Sequence, residues 1–161
     1  VRILFHKVSE ERHVLKIVRD DGRSEEVECE TKSYLAHDLL HYAIEGEATI
    51  DDGFWGNLAR GKTLAQMNDR TGNAMQAEAP QLLAIEQVVG TLSAIAKGVS
   101  AQVAFPRLRA GFASAGIDVP EWLTEQLVSA IQERMRRLLG HWKSTAYGES
   151  MLLPWPPRAP G

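Results

Sequence analysis

Val1-Arg2-Ile3-Leu4-Phe5-His6-Lys7-Val8, then Val14-Leu15-Lys16-Ile17-Val18-Arg19, the turn Asp20-Asp21-Gly22-Arg23, and Ser24-Glu25-Glu26-Val27-Glu28-Cys29-Glu30 decide the fold. The first run alternates with period two, setting Val1, Ile3 and Phe5 on one side and Arg2, Leu4 and His6 on the other, the pattern of a half-buried strand. Ser9–Arg12 is a polar break before the second run. Asp21-Gly22 supplies hairpin turn chemistry, because glycine adopts the positive φ that such turns need. The third run places Val27 and Cys29 on its buried side. Residues 1–30 therefore read as a three-stranded antiparallel meander with one apolar face that must be covered.

Helices supply the cover. Ser33 reads as the N-cap of a helix over Tyr34–Glu47, and a short helix follows over Gly53–Arg60 with Gly61 at its C′ position. Residues 62–79, with Asn68, Asp69, Gly72 and Asn73, read as loop or short irregular helix. Pro80 opens a helix over Gln81–Lys97 that Gly98 ends, and Ser100 caps another over Ala101–Ala115, in which Pro106 is expected to kink or restart the chain. Pro120 opens the longest helix, Glu121–Lys143, with an apolar stripe from Trp122 through Leu127, Ile131 and Leu138 to Trp142. Met151, Leu153 and Trp155 alternate within 149–155, a closing strand able to join the sheet, and a proline-rich tail follows over 156–161. The expected fold is α+β: a small antiparallel sheet covered by four to five helices, in one domain spanning residues 1–161.

With 161 residues, 44% of them hydrophobic and 24% charged, the chain has the composition of an ordinary globular domain, which excludes collagen-like, disordered and disulfide-scaffold classes. Cys29 is the only cysteine and closes no internal bridge, so a reducing, cytoplasmic setting is expected. No apolar run approaches the roughly 18 residues of a membrane span, and Val1–Val8 lacks the apolar core of a signal peptide. Net charge is −3, unevenly spread: residues 1–52 carry 13 acids and 7 bases, residues 53–161 carry 8 acids and 11 bases. Arg107, Arg109, Arg134, Arg136, Arg137 and Lys143 hold most of the basic excess. On an apolar-faced helix in a chain of pI about 6.0 they read as a solvated face, and nucleic-acid binding is not expected.

The chemistry concentrates in His37-Asp38-Leu39-Leu40-His41-Tyr42-Ala43-Ile44-Glu45. At about 100° per residue, His37, His41 and Glu45 form one helical stripe with Asp38 at its edge. Imidazoles at i and i+4 can converge on one cation, and a carboxylate one turn further can add an oxygen ligand. His37, His41 and Glu45 are thus the expected metal ligands, zinc foremost, with Asp38 as an orienting acceptor or catalytic base. The competing reading is a plain polar stripe. Against it, every polar residue on that face is a potential ligand, with no lysine or arginine among them.

The segment His37–Glu45, followed by Gly53-Phe54-Trp55-Gly56 and a closing Leu152-Leu153-Pro154-Trp155-Pro156, resembles an uncharacterised bacterial protein family; the resemblance spans most of the chain and implies no activity. The spacing is also similar to the H-E-x-x-H helix of metalloproteases, with Asp38 in place of glutamate. An aspartate is one methylene too short for that glutamate's pose, which argues against proteolysis. Locally, residues 37–41 resemble the zinc motif H-D-x-x-H-x11-E of a coenzyme Q biosynthesis family. Gly53 stands where that motif has its glutamate, with Asp51 and Asp52 just before it. That likeness implies metal binding at residues 37–41 and little about quinone chemistry.

Other signals fail on context. Gly56-Asn57-Leu58-Ala59-Arg60-Gly61-Lys62-Thr63 fits G-x-x-x-x-G-K-[ST], but no buried strand feeds it and no parallel sheet is expected behind it, so no nucleotide-binding residue is assigned. His37-Asp38 as a phosphohydrolase doublet lacks an all-helical setting. Helix 81–97 carries only Glu86 and Lys97 as charges, beside small residues Gly90, Ser93, Ala94 and Ala96, and so reads as sandwiched in the fold or buried in a homodimer. The sequence thus predicts a divalent-metal-binding cytoplasmic protein or metal-dependent enzyme, against the alternative of a non-catalytic, homo-oligomeric interaction module.

Overall fold

A computed structural model describes residues 1–67 and 80–157. The fold is α+β. Strands β1 (Arg2–Lys7), β2 (Arg12–Val18) and β3 (Ser24–Glu30) form the expected meander, and β4 (Ser150–Pro154) joins it beside β1. The sheet order is β3-β2-β1-β4 with every pair antiparallel. The β2–β3 turn closes through Gly22 N–H donating to the Arg19 carbonyl at 3.0 Å, with Gly22 at φ +85°, a conformation that favours glycine.

Register decides which side chains face the helices. Ile3 pairs with Ile17 and Leu153, and Phe5 with Leu15 and Met151, and all six are buried. His13 and Cys29 continue that face, paired across β2 and β3. Val27 shares the face but is 36% exposed, because β3 is an edge strand. Its outer face and ends carry Glu26, Glu28 and Glu30, while Glu25 points inward to Arg19 at 2.6 Å and accepts the Leu64 N–H at 3.1 Å.

Helix α1 (Thr31–Glu47) follows β3 without a loop. Ser33 is not its N-cap. Glu30 holds that position, the Thr31 N–H is taken by the Glu11 carbonyl at 2.8 Å, and the Ser33 hydroxyl donates to Glu30. Helix α1 lies at the centre: α4 (Pro80–Ala94) and α6 (Glu125–Ser144) both pack on it, and α5 (Ala101–Ala115) bridges those two. Every residue from Asp38 to Glu45 is consequently buried. Short helices α2 (Phe54–Ala59) and α3 (Leu64–Met67) follow α1. Thr63 opens α3 with a reciprocal cap: its backbone N–H donates to Gln66 at 2.9 Å, and its hydroxyl accepts the Gln66 N–H at 3.1 Å. The part of the expected loop over 68–79 lies outside the described residues.

Two further helical boundaries, and the course of the chain at Pro106, differ from expectation. Helix α6 starts at Glu125 because Thr124 accepts the Leu127 N–H at 3.1 Å; Pro120 instead begins a turn closed by Leu123 N–H. Helix α4 stops at Ala94, short of Lys97. Helix α5 runs unbroken through Pro106, which sits on an exposed position, where water can serve the carbonyl that the missing N–H leaves. At its other end α6 is capped from the sheet: Lys7 Nζ donates to the Trp142 and Thr145 carbonyls at 2.9 Å each, a cation where the helix dipole is negative.

Two glycines with opposite surroundings test this packing. A Cβ on Gly56 would lie 1.8 Å from the Asp51 carbonyl oxygen, whereas one on Gly140 would meet nothing within 4 Å. Gly56→Ala is expected to destabilise the protein by about 3 kcal/mol, and Gly140→Ala, within α6, to stabilise it by about 0.5–1 kcal/mol. Urea unfolding of both variants measures the contrast.

Candidate metal centre

The sequence brings His37 and His41 one turn apart on α1, and their rings lie 4.7 Å centre to centre. Helix α4 packs across this turn and delivers Glu86. Glu86 Oε2 is 3.8 Å from His37 Nε2, and Glu86 Oε1 is 2.8 Å from His41 Nε2. One donor atom from each of His37, His41 and Glu86 falls within 4.8 Å of the others. Among the described residues this group is the one with the side-chain types and spacing to hold a metal ion. Two ligand atoms on a tetrahedral zinc sit about 3.4 Å apart, so the separations here bracket that value.

The far side of each imidazole is held as well. His37 Nδ1 lies 3.2 Å from Asp38 Oδ1, and His41 Nδ1 lies 3.3 Å from Glu45 Oε1. A carboxylate on Nδ1 fixes the tautomer in which Nε2 carries the lone pair, and it raises the basicity of the ring. Both Nε2 atoms then turn toward Glu86. His41 is 1% exposed, and its Nε2 makes no hydrogen bond although Glu86 Oε1 lies 2.8 Å away. His37 is 28% and Glu86 49% exposed, so the group opens toward solvent on the Glu86 side.

Glu45 has a different role from the one its spacing suggests. It is wholly buried, and its oxygens accept the backbone N–H groups of Phe54 and Trp55 at 2.7 and 3.0 Å. It thereby caps the first turn of α2, where the helix presents unpaired donors and positive potential. Gly53 makes room: a Cβ there would sit 2.4 Å from Glu45 Cδ. The group of three takes its carboxylate from Glu86, and Glu45 stands behind His41. Asp38, buried beside His37, has its backbone carbonyl bonded by the Trp55 indole at 3.3 Å. The Gly53-Phe54-Trp55-Gly56 segment is thus built around the α1 stripe, with Phe54 5.5 Å from the His41 ring.

Neither family models, nor curated proteins, nor solved structures match this chain. The site therefore has to be read from its own chemistry.

Burial opposes protonation of His41, but the Glu45 and Glu86 carboxylates outweigh it and hold the imidazolium up to about pH 9. Asp38 and then Glu86 raise His37 likewise. Burial also resists ionisation of Glu86, yet the two imidazoles hold its carboxyl well below the usual range. His13 is the opposite case. It is fully buried near Phe5 and Trp142, its Nδ1 is 3.0 Å from the Thr31 hydroxyl, and burial holds its pKa below the usual value.

Of the sequence-predicted residues, His37 and His41 join the group of three, while Asp38 and Glu45 back them. Glu86 was not foreseen. Its signal was isolation, one of two charges in an otherwise apolar helix. The segment resembling a P-loop is wound into α2 and its end, with the Lys62 carbonyl accepting from Arg19 at 2.7 Å.

Two outcomes follow. In metal-free protein, His41 contributes stability that is complete below its unfolded pKa of 6.5 and is lost as pH rises through about 9, on the order of 3 kcal/mol. Denaturation in chelator at pH 6 and pH 9.5 should reveal that fall, and His41→Asn should remove it. Gly53→Ala should destabilise the protein by about 2–4 kcal/mol, since it displaces a buried carboxylate from its donors; thermal unfolding measures this.

Proposed function

We propose that this protein binds one divalent cation, zinc foremost, through His37, His41 and Glu86. The observation that carries the reading is the double orientation of the imidazoles: Asp38 and Glu45 hold the two Nδ1 atoms, and both Nε2 atoms converge on the Glu86 carboxylate. Carboxylate-backed imidazoles are the usual outer arrangement of protein zinc sites, and two nitrogens with one carboxylate oxygen form a common zinc ligand set. The solvent-facing side leaves a coordination position for water or substrate. A cation held there acts as a Lewis acid or lowers the pKa of bound water, so the reading extends to a metal-dependent enzyme, in which Asp38 stays an orienting group through His37. A cytoplasmic setting goes with this reading, supported by Cys29 being free and without a partner cysteine.

The alternative is a non-catalytic module in which the protonated His41 ties α1 to α4 as an ion pair. Its support is the raised His41 pKa of about 9. Metal analysis of protein purified without an affinity tag separates the two. The first reading expects about one zinc per chain, taken up with proton release, lost in His41→Ala and weakened at least about tenfold in Asp38→Asn. Absence of stoichiometric zinc, manganese or iron, with none taken up on addition at pH 8, would overturn it and favour the ion-pair module.

A further inference from the structure

The cleft between α6 and the β4 edge of the sheet lies apart from the metal centre and has an unusual charge. Arg134, Arg137 and His141 follow one another at helical spacing on one face of α6, and Arg2 reaches the same cleft from β1, across from Pro154. The cleft encloses about 520 Å³, and among the described residues no acidic side chain lines it. A neighbouring cleft of about 630 Å³ shares Arg134 and adds Arg60, but Asp20, Glu47 and Asp51 line it too, so its charge is balanced internally.

Arg2 and Arg137 of the first cleft are lightly committed, whereas Arg134 is 12% exposed and paired with Glu47. Arg134 gives its Nε to Glu47 and retains the two terminal nitrogens of its guanidinium. Arg137 lies 3.7 Å from Glu133 with its side chain half exposed. Arg2 is exposed and has no acidic partner among the described residues. Guanidinium forks match the oxygens of phosphate bidentately, and three of them line this cleft with donors left over after their pairs with Glu47 and Glu133. The remaining wall is apolar: Leu138 is buried at the base, and Leu152 stands 48% exposed at the rim, where an organic group would cover it. The volume falls in the range of small-molecule sites, which pair apolar walls with a few placed polar groups.

We propose that this cleft is a binding site for a small phosphorylated organic molecule, with Arg2, Arg134 and Arg137 holding the phosphate and Leu138 and Leu152 receiving the organic part. A phosphate monoester carries about −1.5 to −2 at neutral pH, which three guanidiniums match better than they match a single carboxylate. The proposal does not depend on a metal at the α1 site.

Calorimetric titration of the full chain at pH 7.5 and low salt with phenyl phosphate, inorganic phosphate and benzoate tests it. Phenyl phosphate is expected to bind at least about fivefold more tightly than inorganic phosphate and at least about tenfold more tightly than benzoate. Arg2→Ala and Arg137→Ala should each weaken it about tenfold or more without changing the melting temperature. Arg136→Ala, on the same helix but outside the cleft and paired with Glu133, should leave it within about twofold. No measurable binding of phenyl phosphate, equal binding of benzoate, or an Arg136→Ala loss as large as that of Arg137→Ala would each overturn the site. Phosphatidic acid vesicles form a separate arm. Sedimentation of the chain with them, abolished by Arg137→Ala, would overturn the soluble-ligand proposal in favour of a lipid headgroup; no sedimentation is expected.

Discussion

The buried carboxylate of Glu45 sets the terms for everything around it. Taking such a charge out of water costs several kcal/mol unless each oxygen is met. Here the opening N–H groups of α2 and the His41 imidazole meet them. That solution requires a helix start packed directly against α1, a residue without a side chain at Gly53, and an aromatic pair to exclude water. Phe54 and Trp55 pack edge to face at 4.9 Å and supply that seal.

The charges of the cluster then balance in two ways. Asp38, Glu45 and Glu86 carry three negative charges against two imidazoles. Two protons on the rings leave a net charge of −1, and so does one divalent cation bound to neutral rings. On the proposed metal-binding reading, exchange of two protons for one divalent cation would leave the total charge unchanged, the linkage expected when ligands must be deprotonated. Because Nδ1 of each ring is already engaged by a carboxylate, that exchange would fall on Nε2 with no change of tautomer.

Much of this was legible in the sequence. Period-two alternation and the Asp21-Gly22 turn identified the meander, and the alternation of Met151, Leu153 and Trp155 identified the strand that closes it. Boundaries were lost where a tertiary partner replaced the local one. Thr31 is satisfied by Glu11 from across the sheet, so α1 starts before Ser33, and the Thr124 hydroxyl, not Pro120, opens α6. Helical spacing put His37, His41 and Glu45 on one stripe, but a stripe does not say what packs against it. Helix α2 took the Glu45 end and α4 the histidine end. Glu86, on another helix and 45 residues from His41, entered only through that packing.

The two free borders of the sheet differ in a way that reaches beyond the site. Along β3, Glu26, Glu28 and Glu30 crowd acidic charge on one margin, while β4 ends at Pro154, whose carbonyl is already taken by the Tyr42 hydroxyl at 2.8 Å. A further strand arriving at β3 would disturb the pairs of Glu28 with Arg12 and Glu26 with Lys16, and one arriving at β4 would find no N–H donor at Pro154. Both margins therefore act as terminators. Charged side chains along an edge and a proline at a strand end are both devices that discourage the addition of another strand.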